Sequence, residues 1–251
     1  MKDKIEDICH ELEKEYNIEV LFAVESGSRL WRIDSKDSDY DVRFVFKRPV
    51  ADYLRLHNLR DVIERKFEPD IDVVGFDIYK FFRLLLNSNP SIIEWLNSDI
   101  IYFDDGITKE FLRDFIEGNF NPIALFHHYR SMCKNNYLTY LKTCKALTYK
   151  KYLYAMRGLI NAKYVVSKMA IPPIKFVETV HEITLPEDVR DKVLEIIEIK
   201  KEGCEGEYIS KLYLFEKYIE EFLEMQYELP TNKMQNAGAL QDFLYKKLGI
   251  D

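Results

Sequence analysis

A glycine–serine pair separates two hydrophobic segments that have the composition of β-strands. The first segment, Glu19 to Val24, is followed by Gly27-Ser28, where we expect the chain to turn into a helix. Glycine lets the backbone approach a ligand without a Cβ in the way, and serine adds a hydroxyl donor, so such a turn suits a phosphate. On its own, this signal is weak.

Two aspartates follow the pair at a fixed distance. Ten residues separate Ser28 from Asp39, and Asp41 lies in the second β-rich segment, 40–46. Side chains alternate along a strand, so Asp39 and Asp41 project from the same face. Two carboxylates held together repel each other unless a cation lies between them, and Mg²⁺ prefers oxygen ligands. The alternative is a solvated acidic turn, because acidic residues are common in surface loops.

A third carboxylate is expected on a neighbouring strand. Asp72 lies between Ile71 and Val73, inside a strand pattern, whereas Asp70 follows a proline and is assigned to the turn. Three acids on adjacent strands would hold two metal ions about 4 Å apart, which activate an attacking hydroxyl and stabilise a triphosphate leaving group. The pattern therefore indicates in-line nucleotidyl transfer.

These residues resemble the DNA polymerase β superfamily of nucleotidyltransferases, and within it the enzymes associated with RNA repair operons, the RlaP type. The resemblance covers most of the chain and implies an α+β fold: a minimal nucleotidyltransferase domain, with a small mixed sheet and flanking helices, followed by an all-helical domain. Arg32-Ile33-Asp34 departs from the family's pattern, which has a glycine and smaller residues there. The segments that carry the resemblance are Gly27-Ser28-Arg29-Leu30-Trp31, Asp37-Ser38-Asp39-Tyr40-Asp41-Val42-Arg43-Phe44, Asp72-Val73-Val74-Gly75-Phe76-Asp77, Asn89-Pro90-Ser91, Lys151-Tyr152-Leu153-Tyr154-Ala155-Met156-Arg157 and Pro172-Pro173.

The resemblance also implies roles for individual residues. Asp39, Asp41 and Asp72 are expected to be the catalytic residues and the ligands of two Mg²⁺ ions, or of Mn²⁺ in their place. Gly27 and Ser28 are expected to hold the β and γ phosphates. The complete set of candidate nucleotide-binding residues is Gly27, Ser28, Arg29, Ser38, Arg43, Lys150, Tyr154 and Arg157.

The last three candidates lie in a segment with unusual charge. Residues 121–177 carry ten Lys or Arg, nine Phe or Tyr and no acidic residue, although the net charge of the chain is −7. Interleaved basic and aromatic residues suit a phosphate backbone with stacked bases. The i, i+4, i+7 spacing of Lys150, Tyr154 and Arg157 places them on one helix face. That face either binds triphosphate or an RNA end, or packs against the acidic first domain; the sequence leaves both open.

The remaining pattern predicts the organisation of the chain. We expect helices from Lys4 to Tyr16 and from Ala51 to Phe67, and a short strand from Ile100 to Phe103. Beyond residue 104 only helices are predicted. The boundary falls between 104 and 121, which gives a nucleotidyltransferase domain at 1–110 and a helical domain at 111–251.

Several classes of protein are disfavoured. No segment approaches the roughly 20 apolar residues of a transmembrane helix, and the N-terminus lacks the apolar region of a signal peptide, so we expect a cytoplasmic protein without membrane contact. The cysteines at 9, 133, 144 and 204 lack the C-x-x-C spacing of zinc sites and are interpreted as ordinary buried thiols.

The expected reaction transfers a nucleoside monophosphate from an NTP such as ATP to a hydroxyl acceptor, with release of pyrophosphate. An RNA end is the favoured acceptor, because of the family resemblance and the basic aromatic segment. Two alternatives stay open. The acceptor could be a protein or a small molecule, or the chain could be a non-catalytic nucleotide-binding or RNA-binding module.

Overall fold

A computed structural model describes residues 1–57, 59–68, 70–143, 146–203, 208–227 and 236–250. In these ranges the strands are β1 (Glu19–Glu25), β2 (Tyr40–Lys47), β3 (Val62–Phe67), β4 (Ile71–Asp77) and β5 (Ile101–Asp104). The helices are α1 (Lys2–Tyr16), α2 (Gly27–Leu30), α3 (Val50–Tyr53), α4 (Ile78–Leu86), α5 (Pro90–Leu96), α6 (Thr108–Asn119), α7 (Pro122–Asn136), α8 (Tyr149–Lys168), α9 (Phe176–Glu182), α10 (Glu187–Lys201), α11 (Tyr213–Glu224) and α12 (Ala237–Leu248), and a π-helical segment spans Tyr137–Lys142.

The five strands form one mixed sheet in the order β3-β4-β2-β1-β5. β2 and β4 are parallel, and the other neighbouring pairs are antiparallel. A parallel pair needs a crossover connection, which α3 and β3 provide. The predicted α+β class with a small mixed sheet is confirmed.

One face of the sheet packs against α1. Ile5 and Leu12 of α1 are fully buried in a cluster with Val42 and Phe44 of β2 and Val73 of β4. Full burial of a side chain of this size contributes about 1.5–3 kcal/mol. This packing fixes the register of β2 and β4, since a slip of one residue would turn every core side chain to the other face.

The helix predicted from Ala51 to Phe67 is wrong. α3 ends at Tyr53, and Val62–Phe67 forms β3, which pairs antiparallel with β4 at the edge of the sheet. Only Ile63 is buried along this strand, and residues 64–66 are charged and exposed. A charged edge strand has nearly the composition of an exposed helix, and here the pairing with β4 overrides the local signal.

The chain divides into two compact units. The first contains the sheet, helices α1 to α6 and the C-terminal helix α12, and the second contains residues 31–38 together with α7 to α11. In the second unit α7 and α8 pack closely, since a Cβ on Gly158 would lie 2.7 Å from the backbone nitrogen of Cys133. These units are groups of residues that pack together, which is not the same as separate domains. The predicted division into domains at 1–110 and 111–251 therefore stays a prediction.

The structure describes two of the four cysteines. Cys9 and Cys133 are free and buried, and burial raises the pKa of each thiol to about 12. Cys144 and Cys204 lie outside the described residues. Over the ranges given above, every helix is too short or too polar to span a membrane.

Candidate active site

The strand register places two of the predicted aspartates side by side. Asp41 of β2 is paired with Asp72 of β4, and paired residues of neighbouring strands point to the same face of a sheet. About a third of each side chain is exposed, 31% for Asp41 and 32% for Asp72. Asp39 lies just before β2 and is exposed. Two carboxylates therefore face the same solvent-accessible space at the start of two parallel strands.

Arg43 connects these two carboxylates. Its Nη2 donates to Oδ1 of Asp41 at 2.8 Å and forms an ion pair with Oδ2 of Asp72 at 3.1 Å. Its Nη1 donates to the backbone oxygens of Asp72 and Val42, both at 3.0 Å. The guanidinium thus holds both carboxylates in place and supplies one positive charge between them.

The Gly27 turn packs directly on Asp41. Gly27 has a φ of 62°, and a Cβ at this position would lie 2.0 Å from Oδ2 of Asp41. The N–H of Ser26 donates to the carbonyl of Asp41 at 2.9 Å. The position therefore needs glycine for two reasons, the left-handed backbone and the contact with the carboxylate.

The helix after this turn is short. α2 has four residues, and Ser28 is buried within it. The helix dipole is a sum over aligned peptide units, so a single turn contributes little of it. A phosphate bound here would depend on local backbone N–H groups and on the Ser28 hydroxyl.

Two of the predicted carboxylates, Asp39 and Asp72, act electrostatically on the third, Asp41. Burial raises the pKa of Asp41, and the negative charges of Asp72 and Asp39 raise it further. The charge of Arg43 and its hydrogen bond act in the opposite direction, but the pKa of Asp41 stays above its ordinary value. The negative charges of Asp39 and Asp72 therefore both act on Asp41.

The donor atoms of these three aspartates fit a hard divalent cation. All are anionic carboxylate oxygens, which magnesium prefers. Three carboxylates carry more negative charge than the single positive charge of Arg43 can balance. Among the residues that the structure describes, no three His, Cys, Asp or Glu side chains stand close enough to form a preassembled metal site. The residues fit the ion by chemistry, and metal binding by them stays a prediction.

Glu25, which the sequence pattern did not single out, holds the backbone of Asp41. Glu25 is fully buried at the end of β1, where Oε1 accepts the backbone N–H of Asp41 at 2.7 Å and Oε2 accepts the hydroxyl of Tyr102. Burial raises the pKa of Glu25, while these two hydrogen bonds lower it by less. The available signal was an acid directly after the apolar run 20–24.

Arg29 and Ser38 are predicted nucleotide-binding residues on either side of the loop between α2 and β2. The guanidinium of Arg29 lies 4.0 Å from the ring centroid of Tyr40, and its Nε donates to the carbonyl of Asp39 at 3.2 Å. Ser38 belongs to the second unit, where its Oγ accepts the N–H of Ser35 at 2.9 Å. In the same loop Arg32, the first residue of the segment that departs from the family pattern, adopts a left-handed φ of 58°.

The other three predicted nucleotide-binding residues lie on α8 in the second unit. Arg157 is only 4% exposed, and its guanidinium carbon stands 3.5 Å from the ring centroid of Trp31. Tyr154 meets the same ring edge-on at 5.8 Å, and Lys150 is exposed. Arg157 and Tyr154 therefore hold Trp31, and nucleotide binding by these residues stays a prediction.

A five-stranded mixed sheet with paired aspartates beside a Gly-Ser turn fits the nucleotidyltransferase class of protein. The chain belongs to the RNA repair pathway DNA polymerase β family, whose RlaP model matches residues 1–245. The resemblance found in the sequence is confirmed.

The chain is also similar to one relative and to two solved structures. The chain is 33% identical over 248 residues to the uncharacterised protein YcgL of Bacillus subtilis (strain 168), covering 97% of this chain and 95% of the relative. It is similar to a nucleotidyltransferase-like protein from Exiguobacterium sibiricum 255-15, with 17% identity, coverage of 97% of this chain and 91% of that chain, and a TM-score of 0.32. It is similar to terminal uridylyl transferase 4 from Trypanosoma brucei, solved with UTP and UpU, with 13% identity, coverage of 98% and 92%, and a TM-score of 0.26. These two structural similarities are too distant to carry a functional argument.

Proposed function

We propose that this chain is a cytoplasmic, magnesium-dependent nucleotidyltransferase that transfers a nucleoside monophosphate from an NTP, such as ATP, to a hydroxyl at an RNA end. The observation that carries the proposal is the in-register pairing of Asp41 with Asp72 beside the Gly27 turn. Family membership supports nucleotidyl transfer in general. The RNA acceptor is supported by the family's description as part of an RNA repair pathway.

In this reaction the aspartates bind metal and the Gly27-Ser28 turn binds phosphate. Asp39, Asp41 and Asp72 would hold two magnesium ions, which when bound supply positive charge to the triphosphate and lower the pKa of the acceptor hydroxyl. The Gly27-Ser28 turn binds the β and γ phosphates through backbone N–H groups and the serine hydroxyl. The acceptor oxygen bonds to the α-phosphorus, the α–β anhydride bond breaks, and pyrophosphate and the hydroxyl proton leave.

Label transfer tests this proposal. The full chain is incubated with each α-labelled NTP, magnesium and one acceptor at a time: RNAs with different ends, proteins or hydroxylated small molecules. We expect label on an RNA end and release of pyrophosphate. Label on a protein or small molecule instead would contradict the RNA acceptor, and absence of label on every acceptor would contradict the enzymatic reaction.

Asp41→Asn tests the site itself. The amide cannot supply the anionic oxygen, so we expect transfer to fall at least about a hundredfold, the scale found when one group that stabilises transition-state charge is removed. The matched control is Asp70→Asn, because Asp70 is exposed and has a φ of 54°, a conformation that asparagine tolerates. Equal activity of the two variants would show that the site is misplaced.

A further inference from the structure

A polar groove of about 400 Å³ lies in the first unit, away from the carboxylates. Its lining includes Asp77, the last residue of β4, which is paired with Phe46 in the same parallel register that pairs Asp72 with Asp41. Asp77 lies five positions along the extended strand from Asp72, a distance of roughly 17 Å. The groove therefore stands at the opposite end of these strands from the candidate active site.

Hydrogen bonds hold the floor of the groove in one conformation. The hydroxyl of Tyr53 donates to Oδ2 of Asp77 at 3.1 Å and accepts the N–H of Arg48 at 2.9 Å. Oδ1 of Asp77 accepts the N–H of Tyr79 at 2.9 Å. Nη2 of Arg48 donates to the carbonyl of Arg60 at 3.1 Å, which ties the two sides of the groove together. A ligand would meet a site that is already formed, with little ordering cost.

The charges around the groove favour an anion. Arginines 48, 55, 60 and 83 line it together with aspartates 52, 61 and 77. Each aspartate already faces a cation: Asp52 lies 2.6 Å from Arg55, Asp61 lies 3.2 Å from Lys80 and 3.5 Å from Arg83, and Asp77 lies 3.9 Å from Arg48. Arg60 is exposed, and within the described ranges its guanidinium makes no ion pair or hydrogen bond. Four arginines against three aspartates in the lining leave positive charge for a phosphate.

Two tyrosines add an aromatic surface beside these arginines. The rings of Tyr53 and Tyr79 lie 5.5 Å apart, and Tyr79 is 44% exposed. Bases stack on exposed aromatic rings while arginines bind the neighbouring phosphates, a combination that tolerates any base. The volume also lies within the range of sites that bind small ligands.

We propose that this groove is a second nucleotide-binding site. In it, Arg60 and the neighbouring arginines bind the phosphate, and Tyr79 stacks on the base. The nucleotide is either free or one unit of a single-stranded RNA. The inference goes beyond the proposed transfer reaction, since the groove lies apart from the catalytic aspartates and binds its ligand without transfer.

Direct binding to the full chain tests this. The probes are a short fluorescein-labelled oligouridylate and labelled UMP, measured by anisotropy in an Asp41→Asn background without magnesium, so that transfer cannot alter the probe. We expect Arg60→Gln to weaken binding about fivefold or more and to reduce the salt dependence by close to one phosphate contact. Tyr79→Leu should weaken binding about fivefold or more through lost stacking.

Arg113→Gln is the matched control, because Arg113 of α6 lies in the same unit but outside the groove, 43% of its side chain is exposed, and the substitution removes the same charge. The site is supported if both groove variants bind either probe more weakly than the control does. The probe that responds then identifies RNA or free nucleotide as the ligand. If neither probe binds, or if the groove variants match the control, the proposal is overturned. This outcome is independent of label transfer, which is measured separately with an intact Asp41.

Discussion

At the scale of single residues, Gly27 is the position of the candidate active site where a larger side chain fits worst. We expect Gly27→Ala to reduce transfer at least about a hundredfold, because the new methyl group would lie 2.0 Å from Oδ2 of Asp41 and would displace that carboxylate. The left-handed φ adds roughly 1–2 kcal/mol of destabilisation for a residue with a Cβ. Label transfer and urea unfolding measure the two effects.

Gly118→Ala is the control for this substitution. A Cβ at Gly118 meets nothing within 4 Å, and the residue lies in helix α6, where alanine is favoured over glycine by roughly 1 kcal/mol. Its stability should equal or exceed that of the wild type, with unchanged transfer. Activity of Gly27→Ala at the level of this control would contradict the close packing of the turn on Asp41.

At the scale of elements, α8 anchors the loop that follows the Gly-Ser turn. Trp31 is held by Arg157 and Tyr154 of α8, and its carbonyl accepts the N–H of Phe176 at 3.2 Å. We expect Arg157→Lys to lower the free energy of unfolding by about 1–2 kcal/mol, because lysine keeps the charge but loses planar stacking on the indole. Denaturant unfolding of the full chain checks this.

Lys168→Gln serves as the comparison on the same helix. Lys168 is exposed in the last turn of α8, so its replacement should change stability by no more than about 0.5 kcal/mol. Similar unfolding curves for the two variants would mean that the Arg157–Trp31 contact contributes nothing to stability.

At the scale of the whole molecule, the end of the chain returns to the sheet unit. Lys247 of α12 donates to Oδ2 of Asp105 at 2.6 Å, and Asp105 also accepts N–H groups of Ile107 and Thr108 where α6 begins. Burial raises the pKa of Asp105, but the hydrogen bonds from Lys247 and Thr108 outweigh it, so the pKa is lower than the usual 3.8. The ionised carboxylate therefore stabilises the fold.

The sign of this shift predicts a pH dependence. A lowered pKa stabilises the folded state fully above the ordinary pKa of the group, and the contribution is lost as the pH falls through the lowered pKa. We expect Asp105→Asn to be less stable than the wild type by about 1–3 kcal/mol at neutral pH, with a smaller difference in acid below the ordinary pKa. Urea unfolding at both pH values, with the exposed Asp242→Asn as control, measures it. A difference that does not change with pH would contradict the linkage.

Local patterns predicted the parts of this protein whose signals are local. Helix α1 and strands β1, β2 and β4 appear close to their predicted positions, because each carries a local signal: a helical repeat of apolar residues in α1, a continuous apolar run in β1, and β-forming residues in β2 and β4. The same local rules failed at β3, since an edge strand with one buried residue has no strong period of its own.

By itself, then, the sequence determined the family, the α+β class and the candidate residues around the Gly-Ser turn, because spacing along one strand or turn is a local property. Tertiary structure alone decided that Asp41 faces Asp72 across a parallel pair, that Arg43 joins them and that buried Glu25 supports them. It also decided that α12 belongs with the sheet and residues 31–38 with the helices. These are pairings between residues distant in the chain, and they depend on which faces bury each other rather than on any local pattern.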